Sequence, residues 1–415
     1  MIAFHFPPLV GSSGIQRTLR FAQNLPAFGW RPVILAPTAG AYESADPASI
    51  AQIPEGCDVV RVPCLDAGRH LAIAGKYPGF LALPDRWASW SWLASSIGAR
   101  ACRHYGANAL WSTFPIATAH RIGDRLATRT GLPWMADFRD PMVQDGYPSH
   151  PPRRQAFESI ESACALHSSR MVFVSPSAQA TYRTRYPNLP EDHFELIENG
   201  YDESVFVAAG DITPPPRAGR KLVILHSGIV YPSERDPTAL MTALGRLKRA
   251  GSLRADEVVF RFRAPVHGEL IMDLARQHSA DDLVEVAPPV PYQQAVAEMM
   301  AADALMAMQA DNCNEQIPAK VYEYVRAGRP ILGLADPVGD TGKMLARLQR
   351  GPVVALESAS DIEAALPGFI RRLSHQEADE FSFSRDDSHS RLNRTRLLAA
   401  SLDRMIDAPS RTRLP

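Results

Sequence analysis

The stretch Asn314–Leu334, NEQIPAKVYEYVRAGRPILGL, decides the fold. Pro318 suits the first turn of a helix and Gly328 suits its C-terminal cap. The pattern predicts a helix over Pro318–Ala327 and, directly after it, a strand over Pro330–Leu334. Glu315 then lies in the loop before the helix and Glu323 inside it. Lys320 falls in the first helical turn, a poor place for a cation unless it meets an anion. Two carboxylates eight positions apart, separated by a rotation of about 80° on a helix, can face the same ligand. Carboxylates are strong acceptors for the hydroxyls of a polyol, and the amides at the helix start suit a phosphate. An amphipathic helix with two surface glutamates is the plain alternative.

Outward from this stretch, short apolar runs alternate with amphipathic segments along the whole chain. Strands are expected at Ile2–Phe6, Pro32–Ala36, Ala109–Ser112, Trp134–Asp137, Met171–Val174 and Phe194–Ile197. A second set is expected at Leu222–Leu225, Val258–Arg263, Leu283–Val286, Ala304–Met308, Pro330–Leu334 and Val353–Leu356. Helices are expected at Gly14–Phe28, Ile116–Thr130, Pro237–Lys248 and Pro318–Ala327. Such alternation implies βαβ units and parallel sheets covered on both faces. The stretch Val207–Arg220 holds three consecutive prolines and no apolar periodicity, so it reads as a linker. The chain therefore reads as α/β, with two Rossmann-like domains: residues 1–207, residues 208–383, and a C-terminal segment 384–415 whose charged helix spans Ser384–Asp407. Two such domains leave a cleft, and ligands of open parallel sheets sit at the carboxyl ends of the strands.

Composition narrows the classes. The chain has 415 residues, 46% of them hydrophobic and 21% charged, with a net charge of −1. That balance argues against a nucleic-acid binder, which shows a basic surplus, and against wholesale disorder. No apolar run reaches the roughly 18 residues of a spanning helix. The start, MIAFHFPPLV, lacks the basic and long apolar regions of a secretory signal. A cytoplasmic protein is expected. Cys57, Cys64, Cys102, Cys164 and Cys313 match no zinc spacing, and reduced, buried thiols are expected.

Three further stretches carry chemistry at strand ends. In FHFPPLVGSSGIQR, Phe4–Arg17, a strand runs through Gly11 and Ser12 into a helix at Gly14. Glycine permits close approach to a ligand there, and Ser13 suits the N-cap. In PWMADFRDPM, Pro133–Met142, a strand ends in Asp137, Arg139 and Asp140. These residues serve either a ligand or a structural Arg–Asp brace. In LHSGIVYPSERDP, Leu225–Pro237, a strand ends at His226, Ser227 and Gly228, and the loop brings Arg235, a charge-assisted donor suited to phosphate. The cluster Trp87, Trp90 and Trp92 reads first as core, with a platform for an acceptor or a membrane interface as the other reading. Gly339–Met344, GDTGKM, lacks the first glycine and the Ser/Thr of a phosphate loop and is rejected as one.

Taken together, these motifs resemble the retaining glycosyltransferases of family 4, of the GT-B fold, in their bacterial polysaccharide-forming branch. The N-terminal glycine loop, ALWSTFP, PWMADFRDPM, IENGYDESVF, HSGIVYPSERDP and EQIPAKVYEYVRAGRPIL occur in the family's order. The resemblance implies transfer of a hexose from a nucleotide-sugar to a glycan or lipid-linked acceptor, with retention. It implies no metal and no cofactor beyond the donor, and no nucleic-acid partner. By position, Gly14 and Gly228 approach the donor, Arg235 neutralises the diphosphate with help from Lys320, Glu315 contacts the transferred sugar and Glu323 holds the ribose. Many members carry a histidine where Arg139 falls, so Arg139 or Asp140 takes its role on the sugar. Many also carry an arginine where Ile229 stands. Peripheral contact with the inner face of the cell membrane is expected from the tryptophans and a lipid-linked acceptor. The rivals are a GT-B sugar-nucleotide epimerase and a catalytically degenerate sugar-nucleotide-binding subunit.

Overall fold

A computed structural model describes residues 1–12, 14–210, 212, 219–374 and 387–407. Ser13 and most of the Pro-rich linker lie outside the described residues. The chain forms two compact units: residues 1–198 with 391–415, and residues 199–390. The division falls at Glu198/Asn199, earlier than the expected 207. The reason is the helix Glu203–Ala209, whose Phe206 packs into a core with Tyr322 and Val325. Its Glu203 is also bound through both carboxylate oxygens by Arg326.

Unit 1 is built on parallel strands: β1 (Val33–Pro37), β2 (Asp58–Val62), β3 (Leu110–Thr113), β4 (Trp134–Phe138), β5 (Arg170–Phe173) and β6 (Phe194–Leu196). Ile2 bridges Leu35 on one side and Ser112 on the other, which joins β2-β1 to β3-β4-β5-β6. The expected strand Ile2–Phe6 is thus cut short. The carbonyl of Phe4 accepts from the Tyr42 hydroxyl instead of a neighbouring strand, and Pro7 and Pro8 cannot extend a ladder. The edge strand β2 was not expected from the sequence. Helix Gly14–Asn24 follows the first segment, with a 3-10 turn over Leu25–Phe28. Helix Arg391–Asp407 belongs to this unit and lays Leu398, Ala399, Leu402 and Met405 on Ala3, Phe21 and Trp111.

Unit 2 has a six-stranded parallel sheet: β7 (Leu222–Ser227), β8 (Val258–Arg263), β9 (Val284–Ala287), β10 (Ala304–Met308), β11 (Ile331–Leu334) and β12 (Val353–Val354). Its order is β12-β11-β10-β7-β8-β9. The chain winds outward from β7 through β8 and β9, then returns to the other side of β7 with β10. The switch point lies between β7 and β10, and the loops after these two strands meet there. The fully buried strand β10, ALMAM, is apolar throughout, as expected for a parallel strand covered on both faces.

The tryptophans divide. Trp90 is fully buried at the start of helix Trp90–Tyr105. Trp87 lies before that helix and packs on Phe4 with ring centroids 4.6 Å apart, so the two do not share a helix face. Trp92 is 61% exposed. Cys64 and Cys164 are buried, while Cys57, Cys102 and Cys313 are half-buried.

Candidate functional site

At the switch point of unit 2, β7 ends in Ser227 and Gly228 follows it. Gly228 has φ +110°, a conformation that favours glycine. A Cβ there would stand 3.1 Å from Lys320 Nζ. The helix Ala319–Ala327 begins one residue later than expected, with Pro318 as the residue before it and Gly328 as its left-handed C-cap. Lys320 is therefore at the second helical position, brought over the end of β7.

The imidazole of His226 fixes this lysine. Its Nδ1 lies 2.9 Å from the Met306 carbonyl, which can only accept, so Nδ1 carries the proton. Its Nε2 lone pair then faces Lys320 Nζ at 3.2 Å. Burial, with the lysine's charge second, pushes the His226 pKa well below its ordinary value. Burial also lowers the Lys320 pKa to about 7; the nearby Arg235 guanidinium adds to the fall and Glu323 opposes it. A half-buried ammonium in these surroundings is held ready for an anion.

Arg235 comes from the loop after β7. Its side chain is only 12% exposed and lies 3.5 Å from Glu234. Its guanidinium stands over the Tyr231 ring, and its Nε is buried with no hydrogen-bond partner among the described residues. The Ala310 amide donates to the Glu234 carbonyl at 2.7 Å, tying this loop to the one after β10. That second loop carries Glu315, half-buried. Gln309 Nε2 holds it through the carbonyls of Cys313 and Gln316 at 2.6 and 3.0 Å. Asn314 Nδ2 donates to Asp336 at 2.5 Å. On the helix, Glu323 accepts from the Tyr292 hydroxyl at 2.5 Å. The stretch Gly339–Met344 packs on this loop: a Cβ on Gly339 would meet Asn314 Oδ1 at 2.5 Å. Unit 2 thus brings Lys320 to Gly228 at the switch point, with Arg235 and Glu323 acting on its charge, and holds Glu315 on the loop after β10.

In unit 1, Asp137 at the end of β4 does not face a ligand. Arg17 holds both its oxygens, at 2.8 and 2.9 Å, and also donates to the Ile197 carbonyl at 2.9 Å. Asp137 is thus braced by an arginine from outside the stretch, Arg17, and not by Arg139. Arg139 and Asp140 lie beyond it. Arg139 meets the start of helix Gly14–Asn24, where a Cβ on Gly14 would stand 2.5 Å from its Nη1 and 2.2 Å from His5 Nδ1. Its Nε is buried without a partner among the described residues. Burial lowers the pKa of Arg139 and raises that of Asp140. Burial, then the Arg139 charge, lowers His5 to about 4 and leaves it neutral near pH 7.

The chosen residues therefore fall into two groups: Gly14, Arg139 and Asp140 in unit 1, and Gly228, Arg235, Glu315, Lys320 and Glu323 in unit 2. The sequence reading gives no role to His5, Arg17 or His226, and it does not foresee the bond from Tyr292 to Glu323. Their partners are distant in the chain, and only histidine and tyrosine at strand ends or loop edges hinted at them.

Residues 13–200 match the family of the glycosyl transferase 4-like domain. No curated protein matches the sequence. Among solved structures, Anabaena HepE in complex with UDP and glucose superposes with a TM-score of 0.65 at 12% identity, over 97% of this chain and 99% of that one. Sucrose-phosphate synthase from Thermosynechococcus elongatus gives 0.61 at 14%, over 97% and 96%. WaaG, a glycosyltransferase involved in lipopolysaccharide biosynthesis, gives 0.61 at 14%, over 97% and 99%. These likenesses give the fold as GT-B, with two Rossmann-like domains. Among the described residues no group of three or more His, Cys, Asp or Glu could hold a metal.

Proposed function

We propose that the protein is a retaining glycosyltransferase that moves a hexose from a nucleotide-sugar to a glycan or lipid-linked acceptor in cell-surface polysaccharide synthesis. The observation that carries this reading is Lys320, half-buried against Gly228 and His226 with Arg235 close by. Departure of a nucleoside diphosphate leaves negative charge on its terminal phosphate. Cations already in place stabilise that charge without reorganisation. Arg235 and Lys320 fill this role, with the amides at the start of helix Ala319–Ala327 beside them, and no metal is required of the reaction.

Glu323, steadied by the Tyr292 hydroxyl, takes the ribose hydroxyls. Glu315 takes hydroxyls of the transferred sugar, and its rigid loop sets their position. Gly14 of unit 1 is assigned to the donor, and Arg139 or Asp140 to the transferred sugar. HepE binds UDP and UDP-glucose and WaaG serves lipopolysaccharide synthesis, which supports a nucleotide-sugar donor and a surface glycan product here. Action at the inner face of the cell membrane fits such an acceptor.

Calorimetric titration with UDP, GDP, ADP and dTDP tests the donor site. One nucleotide should bind at micromolar affinity. Glu323→Ala should weaken it about tenfold to a hundredfold, as expected for lost charged hydrogen bonds. Turnover in the presence of a chelator, with the product's anomeric configuration read by NMR, completes the test. Binding without turnover on any acceptor would favour a degenerate binding subunit, and no binding by any of the four would overturn the reading.

A further inference from the structure

Arg139 and Asp140 follow β4 directly, and both are half-buried. Neither side chain makes a hydrogen bond or an ion pair among the described residues. Other arginines of unit 1 are engaged. Arg17, Arg61, Arg86 and Arg170, likewise buried or half-buried, each hold a carboxylate or a carbonyl oxygen. The Nε of Arg139 is buried with nothing to donate to. Asp137, two residues before it, is taken by Arg17 through both oxygens. Asp140 acts on the charge of Arg139 without pairing with it.

Both side chains stand on a fixed loop. The space that a side chain at position 14 would take is filled by the Arg139 guanidinium and the His5 ring. His5 in turn meets Ser12 Oγ at 3.3 Å. Beyond Asp140 the backbone is anchored. The Met142 amide donates to the Tyr182 hydroxyl at 3.0 Å, that hydroxyl donates to Glu161 at 2.6 Å, and Arg185 donates to the Val143 carbonyl at 3.0 Å. None of these bonds uses the charge of Arg139 or of Asp140. Half-buried charges without partners cost stability. Held in place in this way, they await a ligand that carries the missing groups.

We propose that the transferred sugar is a hexuronic acid, its carboxylate gripped by Arg139 and a neighbouring hydroxyl donating to Asp140. The inference rests on the reading above that Arg139 or Asp140 meets the transferred sugar. A guanidinium presents two parallel N–H groups to a carboxylate, a planar and charge-assisted match. A hexuronic acid carries that carboxylate on C5 and, on C4, a hydroxyl whose proton suits Asp140. The hydroxymethyl group of a neutral hexose offers one oxygen to both residues and leaves the guanidinium charge unanswered. A phosphate would meet Arg139 but, once ionised, bring no proton for Asp140.

Calorimetry on the full chain compares matched sugar nucleotides built on whichever diphosphate binds: glucuronate against glucose, galacturonate against galactose, and mannuronate against mannose. For UDP the first pair is UDP-glucuronate and UDP-glucose. One acid is expected to bind about tenfold or more tightly than its neutral partner, the scale of a charged hydrogen bond. That ratio should fall to about one in Arg139→Gln and recover in part in Arg139→Lys, a pattern a merely structural role would not give. A neutral sugar bound as tightly as its acid in every pair overturns the proposal, and so does a preference that survives in Arg139→Gln. The first of these results is read on the wild type alone, so it stands even if a variant fails to fold. Diphosphate binding without any preference for an acid leaves the nucleotide site intact and removes only this inference. Absence of binding by every bare diphosphate removes the proposed function, and this inference with it.

Discussion

Lys320 is the residue whose protonation the site depends on. In the free protein its pKa is lowered to about 7, so the ammonium that meets a diphosphate is only partly present above that pH. A bound diphosphate raises the pKa again. Nucleotide affinity should therefore fall as pH rises above 7, by up to about tenfold per unit, in a range where the phosphates are already ionised. Calorimetry from pH 7 to 9 checks this, and Lys320→Met should bind more weakly with a flat profile. The stability linkage has the opposite sign. Between about 7 and the ordinary lysine value of 10.5 the unfolded chain holds a proton that the folded chain does not, so this group makes unliganded stability rise with pH across that window. Arg17 gives a second expectation. Its pair with Asp137 is buried at 4% and 0% side-chain exposure, and Arg17→Ala leaves a buried carboxylate without its cation. A loss of about 3–5 kcal/mol is expected in urea unfolding followed by tryptophan fluorescence. The residue types of the site were legible because glycine, glutamate and lysine near a helix start have a local chemical meaning. Their supports were not: His226 meets Lys320 across 94 positions and Arg17 meets Asp137 across 120, and no local pattern encodes such a pairing.

At the scale of elements, punctuation was readable and edges were not. Pro318 and Gly328 bracket the helix that carries Lys320 and Glu323, and both act on the backbone wherever they stand. The buried strands β4, β8 and β10 announce themselves as apolar runs or clean alternation. The strand β2, Asp58–Val62, escaped because it pairs only with β1 and only Val62 is fully buried, so Asp58 and Arg61 are tolerated in it. The segment Ile2–Phe6 looked like a full strand from its alternating apolar residues. Its ladder stops because tertiary contacts, among them Tyr42 on Phe4, take over the backbone. Hydrophobic period alone cannot distinguish a strand from an extended segment bonded by side chains.

At the scale of the whole molecule, the two units have separate cores and can be observed separately. All six tryptophans, residues 30, 87, 90, 92, 111 and 134, lie in unit 1. Tryptophan fluorescence therefore reports unfolding of unit 1, while circular dichroism reports both units. The cognate nucleotide diphosphate, bound by unit 2, should raise the thermal midpoint seen by circular dichroism more than the one seen by fluorescence. Equal shifts by the two probes would show that the chain unfolds as one cooperative body.

Unit 1 is made from both ends of the described chain, because helix Arg391–Asp407 covers Phe21 and Trp111. On the ribosome the first 198 residues emerge long before that cover does. The roughly 190 intervening residues of unit 2 take about 10–40 s to synthesise. During that interval the nascent chain carries a sheet with one apolar face open to chaperones and to its neighbours on the same messenger RNA. Unit 2, contiguous in sequence, closes its own core first, so the later half of the protein is finished before the earlier half.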